Sequence, residues 1–265
     1  MGDARTTEQA GRAGVASCGI AVMAKASRPG RTKTRLVPPL SPDEAAAFNT
    51  AFLHDVAANV AAAGQATPIG CYMAYGQPDA AAFFQSHFPP AVGLIEAWHQ
   101  NFGDCLFVAI EQVLARGHAG AVVLNSDSPT LPTALLVETA RLLAQPGDRA
   151  VLGPSSDGGY YLLGLKAPHR RLFEDVAWST ERVARQTRER AAEIGLPVHV
   201  LPEWYDVDDV AALQTLRGEL FEASPFAPDL RPAPATHAAA LLAALMARTD
   251  LASRLDAAVT MRAAE

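Results

Sequence analysis

Short, continuously apolar runs alternate with segments in which apolar residues recur every three to four positions, and this alternation organises the chain. Cys18–Ala24 is apolar throughout, as expected of a parallel strand buried on both faces. Ser41-Pro42-Asp43-Glu44 then starts a helix, with Ser as N-cap, Pro in the first position and Glu three after the cap. Phe48, Phe52, Val56 and Val60, with Leu53 beside them, give that helix one core-facing stripe, and Gly64 ends it. Strands are predicted over Ile69–Tyr75 and over residues 92–97, with a short helix over 78–88 between them. A helix over 102–115 leads to a buried strand over 121–124. Pro132 then opens a helix carrying Leu135, Leu136, Leu142 and Leu143. Strand and helix alternate so far, which implies a parallel sheet with right-handed crossovers.

The pattern then changes. Strands over 150–153 and Tyr160–Leu165 are separated by only six residues, too few for a crossover helix, so the two are expected to pair antiparallel. A helix over 180–194 follows Ser179, a natural N-cap, and a last strand spans 197–201. That strand leads through Trp204-Tyr205-Asp206-Val207-Asp208-Asp209 into a helix bearing Val210, Leu213, Leu216 and Leu220. Prolines at 225, 228, 232 and 234 mark residues 221–235 as a linker. Residues 236–265 read as a helical appendage, with short Ala/Leu helices over 238–247 and 251–261, placed to dock on the core or to join two subunits as a homo-oligomer. Residues 1–17 are polar and Gly/Ala-rich and read as disordered, leaving 18–220 as the main domain.

Composition narrows the function classes. With 265 residues, 49% of them hydrophobic, the chain can bury a full core. A formal charge of −6 argues against general nucleic-acid binding. No run is long enough to span a membrane, and the N-terminal segment lacks the apolar stretch of a signal peptide. Cys18, Cys71 and Cys105 are odd in number and widely spaced; reduced thiols and a cytoplasmic setting are the expectation.

Against this acidic background the loop after the first strand stands out, with Lys25, Arg28, Arg31, Lys33 and Arg35 clustered around Gly30. Ligands of open α/β sheets sit at the carboxyl ends of strands, and cations beside a glycine that admits close backbone approach suit a polyphosphate. The loop is neither a Walker A motif nor G-x-G-x-x-G. Asp127 follows the buried strand at 121–124 and has two readings: a hard oxygen ligand for Mg²⁺ or Mn²⁺, or an Asx-turn before Pro129. Asp206 and Asp208, two apart, point to one side of an extended chain and can share a cation with Asp127, while one acid of the 206–209 run caps the next helix. Asp157-Gly158-Gly159 is either a simple turn or a substrate contact in which Asp157 accepts a hydroxyl proton.

Together these segments resemble a bacterial family of nucleotide-diphospho-sugar transferase-like glycosyltransferases, with 2-phospholactate and molybdenum-cofactor guanylyltransferases as more distant relatives. The resemblance is carried by Ala24-Lys25, Pro29 to Leu36, Ser126-Asp127-Ser128-Pro129, Gly153-Pro154 through Asp157-Gly158-Gly159-Tyr160-Tyr161, Trp178-Ser179-Thr180 and Asp206-Val207-Asp208. It implies a three-layer α/β/α fold of GT-A type with a mixed, mostly parallel sheet. It also implies a nucleotide site at Lys25, Gly30, Arg31, Lys33, Arg35 and Ser126, and a Mg²⁺ or Mn²⁺ ion held by Asp127 with Asp206 or Asp208. A small-molecule acceptor is expected at Asp157, Gly158, Gly159 and Tyr160, with Asp157 and Lys33 as the catalytic groups. Glycosyl transfer from a nucleoside diphosphate-sugar is the favoured reaction, with nucleotidyl transfer or a catalytically weak nucleotide-binding role as alternatives. Where such sequences follow Gly-Asp with Leu-Gly-Glu-Arg, this chain has Cys105-Leu106-Phe107-Val108 after Gly103-Asp104.

Overall fold

Fifteen elements follow in order: β1 (Cys18–Ala24), α1 (Pro42–Ala63), β2 (Ile69–Tyr75), α2 (Ala81–His87), β3 (Gly93–Glu96), α3 (Phe102–Leu114), β4 (Gly120–Leu124), α4 (Thr133–Ala144), β5 (Ala150–Pro154), β6 (Tyr160–Leu165), α5 (Val183–Glu193), β7 (Val198–Val200), α6 (Val210–Phe221), α7 (Thr236–Arg248) and α8 (Leu251–Arg262). They are seen in a computed structural model that describes residues 17–77 and 79–262. The disordered segment expected over 1–17 lies, Ser17 apart, outside the described residues, as does Pro78 at the start of the helix expected over 78–88.

The seven strands form one sheet in the order β3-β2-β1-β4-β6-β5-β7. All neighbours pair parallel except β6, which runs antiparallel to both β4 and β5. The fold is therefore the mixed, mostly parallel α/β sheet expected, with the antiparallel strand following from the short β5–β6 connection. Side chains alternate across the sheet: Ile20, Val22, Val122 and Leu124 join a core with α1, α4 and α6, whereas Ala21, Ala121 and Val123 join a second core beneath α3. Both faces are covered, which is why the central strands read as continuous apolar runs.

The start of α1 is the capping box expected from Ser41 and Glu44, and Asp209 caps α6 by accepting from the Ala212 amide. One start differs. Ser179 does not cap α5, which begins at Val183. Ser179 has a left-handed backbone, and the Thr180 hydroxyl is spent on the Ala177 carbonyl. The Ala184 amide reaches instead to Gly158 O, so residues 178–183 form a loop against the β5–β6 turn and the helix starts three residues late.

Residues 236–262 pack on α1 and α6, and Ala238, Leu242, Leu251 and Leu255 join the α1-side core. The residue before α7, Ala235, has no capping side chain. Asp55 of α1 takes that role from across the interface, accepting from the amides of His237 and Ala238 at 2.8 Å each while only 4% exposed. Arg254 of α8 adds two contacts to Glu44, at 3.0 and 2.8 Å.

Because Asp55 makes two charge-assisted bonds in a buried position, Asp55→Ala is expected to destabilise the protein by about 2–4 kcal/mol, and Asp55→Asn by less. Urea denaturation followed by circular dichroism measures this. A midpoint unmoved by Asp55→Ala would mean that apolar packing alone holds α7.

Candidate functional site

The chain runs outward from β1 to β2 and β3, then returns to place β4 on the other side of β1. The carboxyl ends of β1 and β4 thus flank a topological switch point, the crevice in which open α/β sheets bind ligands. A cleft of about 580 Å³ opens there. The loop after β1 forms one wall, held by Asn49 of α1, whose amide donates to Lys25 O at 3.0 Å and Ser27 Oγ at 2.8 Å. The segment 204–208 is laid against the end of β4: the Val207 amide donates to Asp127 O at 2.8 Å, and Ser128 Oγ donates to Tyr205 O at 2.8 Å. Val207 is buried, so Asp206 and Asp208 turn to the cleft on the opposite side of an extended chain.

Lys33 sits at the centre. Its Nζ lies 2.7 Å from Asp127 Oδ1 and 2.9 Å from Asp208 Oδ1, and donates to Val207 O at 2.9 Å. An ammonium has three hydrogens, so these three acceptors saturate it. Its side chain is only 5% exposed. Burial alone would lower its pKa, but Asp127 and Asp208 hold it above the ordinary lysine value. Conversely, burial pushes Asp208 upward, yet Lys33 and then Arg35 hold it below the usual carboxylate range. Asp206 lacks such a partner. It accepts from Ser155 Oγ at 2.8 Å, while burial first, then the charges of Asp157, Asp208 and Asp127, push it to about 6.

The cleft brings together Lys25, Arg31, Lys33, Arg35, Ser126, Asp127, Asp157, Gly159, Tyr160, Asp206 and Asp208. Two residues expected at the site are not in its lining, Gly30 and Gly158. Gly30 occupies the outer turn of the basic loop, where the Arg31 amide returns to Arg28 O. Gly158 faces the neighbouring loop: its φ is +87°, and a Cβ there would lie 2.2 Å from the Glu181 carbonyl oxygen. Lys33, expected as a phosphate contact, has no hydrogen left to give. Lys25 and Arg31 line the cleft without an ion pair among the described residues, and Arg35 is 72% exposed at 3.8 Å from Asp208. Arg28 is turned away to Asp79.

Reading residue types along the chain missed Asn49, Phe102, Asn125 and the segment Trp178-Ser179-Thr180-Glu181, all of which line the cleft. The Trp178 segment carried part of the family resemblance, the one signal that could have found it. Of the altered stretch after Gly103, Asp104 pairs with Arg170 at 2.7 Å, Cys105 bonds the His99 backbone, and Leu106 and Phe107 are buried in the α3-side core.

A divalent ion would find hard oxygen donors in Asp127 and Asp208, which already converge on one cation, the Lys33 ammonium. Among the described residues no group of three or more His, Cys, Asp or Glu side chains is arranged to hold a metal. The protein donor set thus fits a site of two carboxylates completed by ligand phosphates, not a closed protein cage.

Comparison with known proteins agrees with this architecture. The model of a family described as "Uncharacterized protein conserved in bacteria (DUF2064)" matches residues 59–180, from the second half of α1 to the Trp178 loop. No protein of curated function matches the chain. A crystal structure from Desulfovibrio desulfuricans, described as a candidate nucleotide-diphospho-sugar transferase, is 25% identical, with 87% of this chain and 95% of that one covered and a TM-score of 0.74. CMP:2-keto-3-deoxy-manno-octonic acid synthetase in complex with CTP shares the fold at 13% identity, with 78% of this chain and 99% of that one covered and a TM-score of 0.51. The chain has the nucleotide-diphospho-sugar transferase fold. Among the described residues no helix is long and apolar enough to cross a membrane.

The raised Asp206 generates a pH-dependent prediction. The folded state holds this proton up to about pH 6, against 3.8 for the unreacted side chain. Stability from this residue is therefore full below the unfolded value and is lost as pH rises through about 6. Asp206→Asn should stabilise the protein by about 1–2 kcal/mol at pH 8, with the gain vanishing near pH 4. Thermal melts across that range measure it, and a gain independent of pH would mean Asp206 is not ionising in the cleft.

Proposed function

We propose that this protein is a transferase that takes a nucleotide-activated donor in the cleft between β1 and β4, with glycosyl transfer from a nucleoside diphosphate-sugar as its reaction. The observation that carries the reading is the placement of two loop cations without an ion pair among the described residues, Lys25 and Arg31, across one cleft from the Asp127, Asp206 and Asp208 carboxylates. That combination suits a polyphosphate: guanidinium and ammonium groups hold its oxygens, and carboxylates hold a cation that neutralises it. The likeness to the Desulfovibrio protein, over nearly the whole of that chain, supports the same reading.

In this mechanism Lys25, Arg31 and Arg35 bind the diphosphate and stabilise its charge as it leaves. Asp127 and Asp208 would hold Mg²⁺ or Mn²⁺, whose contribution is Lewis-acid neutralisation of the phosphate oxygens. An acceptor hydroxyl forms a bond to the sugar carbon. The bond from that carbon to the phosphate oxygen breaks, and the nucleoside diphosphate departs with its electron pair. The hydroxyl proton passes to Asp157. One oxygen of Asp157 accepts the Gly159 amide at 2.8 Å, which fixes the carboxylate, and the other has no partner among the described residues. Ser126 Oγ donates to Asp127 Oδ1 at 3.1 Å and orients that carboxylate.

Two experiments test the reading. Incubation with Mn²⁺, a panel of nucleoside diphosphate-sugars and triphosphates, and a mixed acceptor pool should release nucleoside diphosphate. Release of pyrophosphate from a triphosphate instead would make the protein a nucleotidyltransferase, and no turnover of any donor would refute catalysis at this cleft. Lys33→Met tests the carboxylate pair by a route independent of turnover. Removing the ammonium leaves Asp127 and Asp208 facing each other, so the variant should lose about 1–3 kcal/mol of stability without metal. Millimolar Mn²⁺ should restore it and stabilise the variant more than the wild type. A melting temperature that ignores Mn²⁺ in both proteins would show that the pair does not hold a divalent ion.

A further inference from the structure

Away from the cleft, three of the seven histidines converge from three different elements. His54 lies in the middle of α1, His87 is the last residue of α2, and His237 is the second residue of α7. The rings of His54 and His237 stack, with centroids 5.0 Å apart and planes at 27°, and His54 lies 6.0 Å from His87. Phe88 packs on the same imidazole at 4.9 Å, so His54 is half-buried between its neighbours, whereas His87 and His237 are exposed. Phe83 holds His87 in place: its ring stacks on the imidazole at 4.0 Å, and its carbonyl accepts from His87 Nδ1 at 2.8 Å. This junction is where the C-terminal helices begin, beside the Asp55 carboxylate that caps α7.

Neutral imidazoles pack together readily, but imidazolium ions at this range repel one another. Little else at the junction can compensate. α2 carries no ionisable side chain besides His87, and α7 carries none between His237 and Arg248, about three turns away. A charge on His237 also opposes the positive end of α7. Burial first, then the charges of His237 and His87, hold His54 below the ordinary histidine value. The stability it contributes is therefore full above about 6.5 and is lost as pH falls below that value. Asp55 has the opposite sign. Burial pushes it above the usual carboxylate range, against its two amide bonds, and the attraction of a charged His237 is the smallest effect on it. A raised carboxylate favours the fold more as pH falls, so Asp55 does not open the junction in acid. The histidines do.

We propose that His54, His87 and His237 form an acid-sensitive latch, whose protonation releases α7 and α8 from α1 and with them the brace behind the basic loop. The brace is Arg254 of α8. Its guanidinium donates to Pro39 O and to both carboxylate oxygens of Glu44, where the chain returns from the loop after β1 into α1. The apolar contacts of Ala238, Leu242, Leu251 and Leu255 with the α1-side core keep the two helices docked while the histidines are neutral. The latch stands on the junction itself and does not depend on the transferase reading.

Hydrogen exchange of the full chain, read by mass spectrometry and corrected for intrinsic rates, tests the latch. Between pH 7.5 and pH 5 the amides of α7 and of residues 37–41 should lose protection about tenfold relative to α4, and should regain it when the pH is restored. His54→Gln has no charge to gain and should keep α7 protected over the whole range. His87→Gln changes an exposed residue at the end of α2, so it tests the same point if the first variant folds poorly; it should move the acid midpoint to lower pH. Full protection of α7 in the wild type at pH 5 would overturn the latch. So would an unshifted loss in both variants, or a loss spread evenly over α4 and the strands, which is general acid unfolding. Opening of α7 with residues 37–41 still protected would refute the brace.

Discussion

The cleft depends on one buried ammonium. Asp127 arrives from the end of β4 and Asp208 from the segment after β7, and both carboxylates meet on Lys33 Nζ. Two carboxylates at such range repel each other strongly where water is partly excluded, and the lysine charge makes their approach tolerable. The third hydrogen goes to Val207 O, so one side chain ties the loop after β1 to two other segments. The backbone of Lys33 is left-handed, with φ of 52°, a conformation that costs a non-glycine residue about a kilocalorie or more. The three bonds of its ammonium offset that cost. With Lys33 committed to the carboxylates, Lys25 and Arg31 are loop cations in the cleft lining without an ion pair among the described residues.

The sheet topology explains why these groups meet at all. β1 and β4 are adjacent, and the loops that follow them both start at the carboxyl edge and lead to α1 and α4 on one face of the sheet. The antiparallel β6 brings a further loop to that same edge, because a strand running backwards begins where its neighbours end. Asp157 and Tyr160 therefore reach the cleft by reversal of one strand, without any crossover. The segment 204–208 closes the arrangement by bonding to both β4 and β5 loops, through Asp127 O and Pro154 O.

Most of this fold was legible in the sequence, and the reasons are local. Continuous apolar runs marked strands covered on both faces, the four-residue stripe from Phe48 to Val60 marked α1, and the short connection between β5 and β6 dictated the antiparallel pair. Acid and base residues at strand ends were legible as a cleft because strand ends converge in this class of sheet. What stayed hidden depended on contacts distant in sequence. Ser179 has the composition of an N-cap, but the pull of Gly158 O on the Ala184 amide delays the helix. Gly158 reads as a substrate contact until the Glu181 backbone is seen against it. That the Lys33 ammonium pairs with Asp208, 175 residues away, has no local signature. The break in register between β5 and β6 likewise leaves no signature in the residues that make it.

The two ends of the cleft carry opposite kinds of unfinished business, and that contrast bears on function more than either end alone. At the loop end, cations without ion pairs among the described residues stand on one wall, and on the other Asp206 is pushed up to about 6 by burial and by neighbouring carboxylates. At the aromatic end the exposed ring of Phe102 and the ring of Trp178 share the lining with the carboxylates of Asp157 and Glu181. A fold selected for stability alone would neutralise the first and pair or bury the second. Both departures lie in one lining, and each costs stability that a suitable ligand returns. On the transferase reading proposed above, one ligand would answer both ends, its phosphates at the loop and a ring against the aromatic wall.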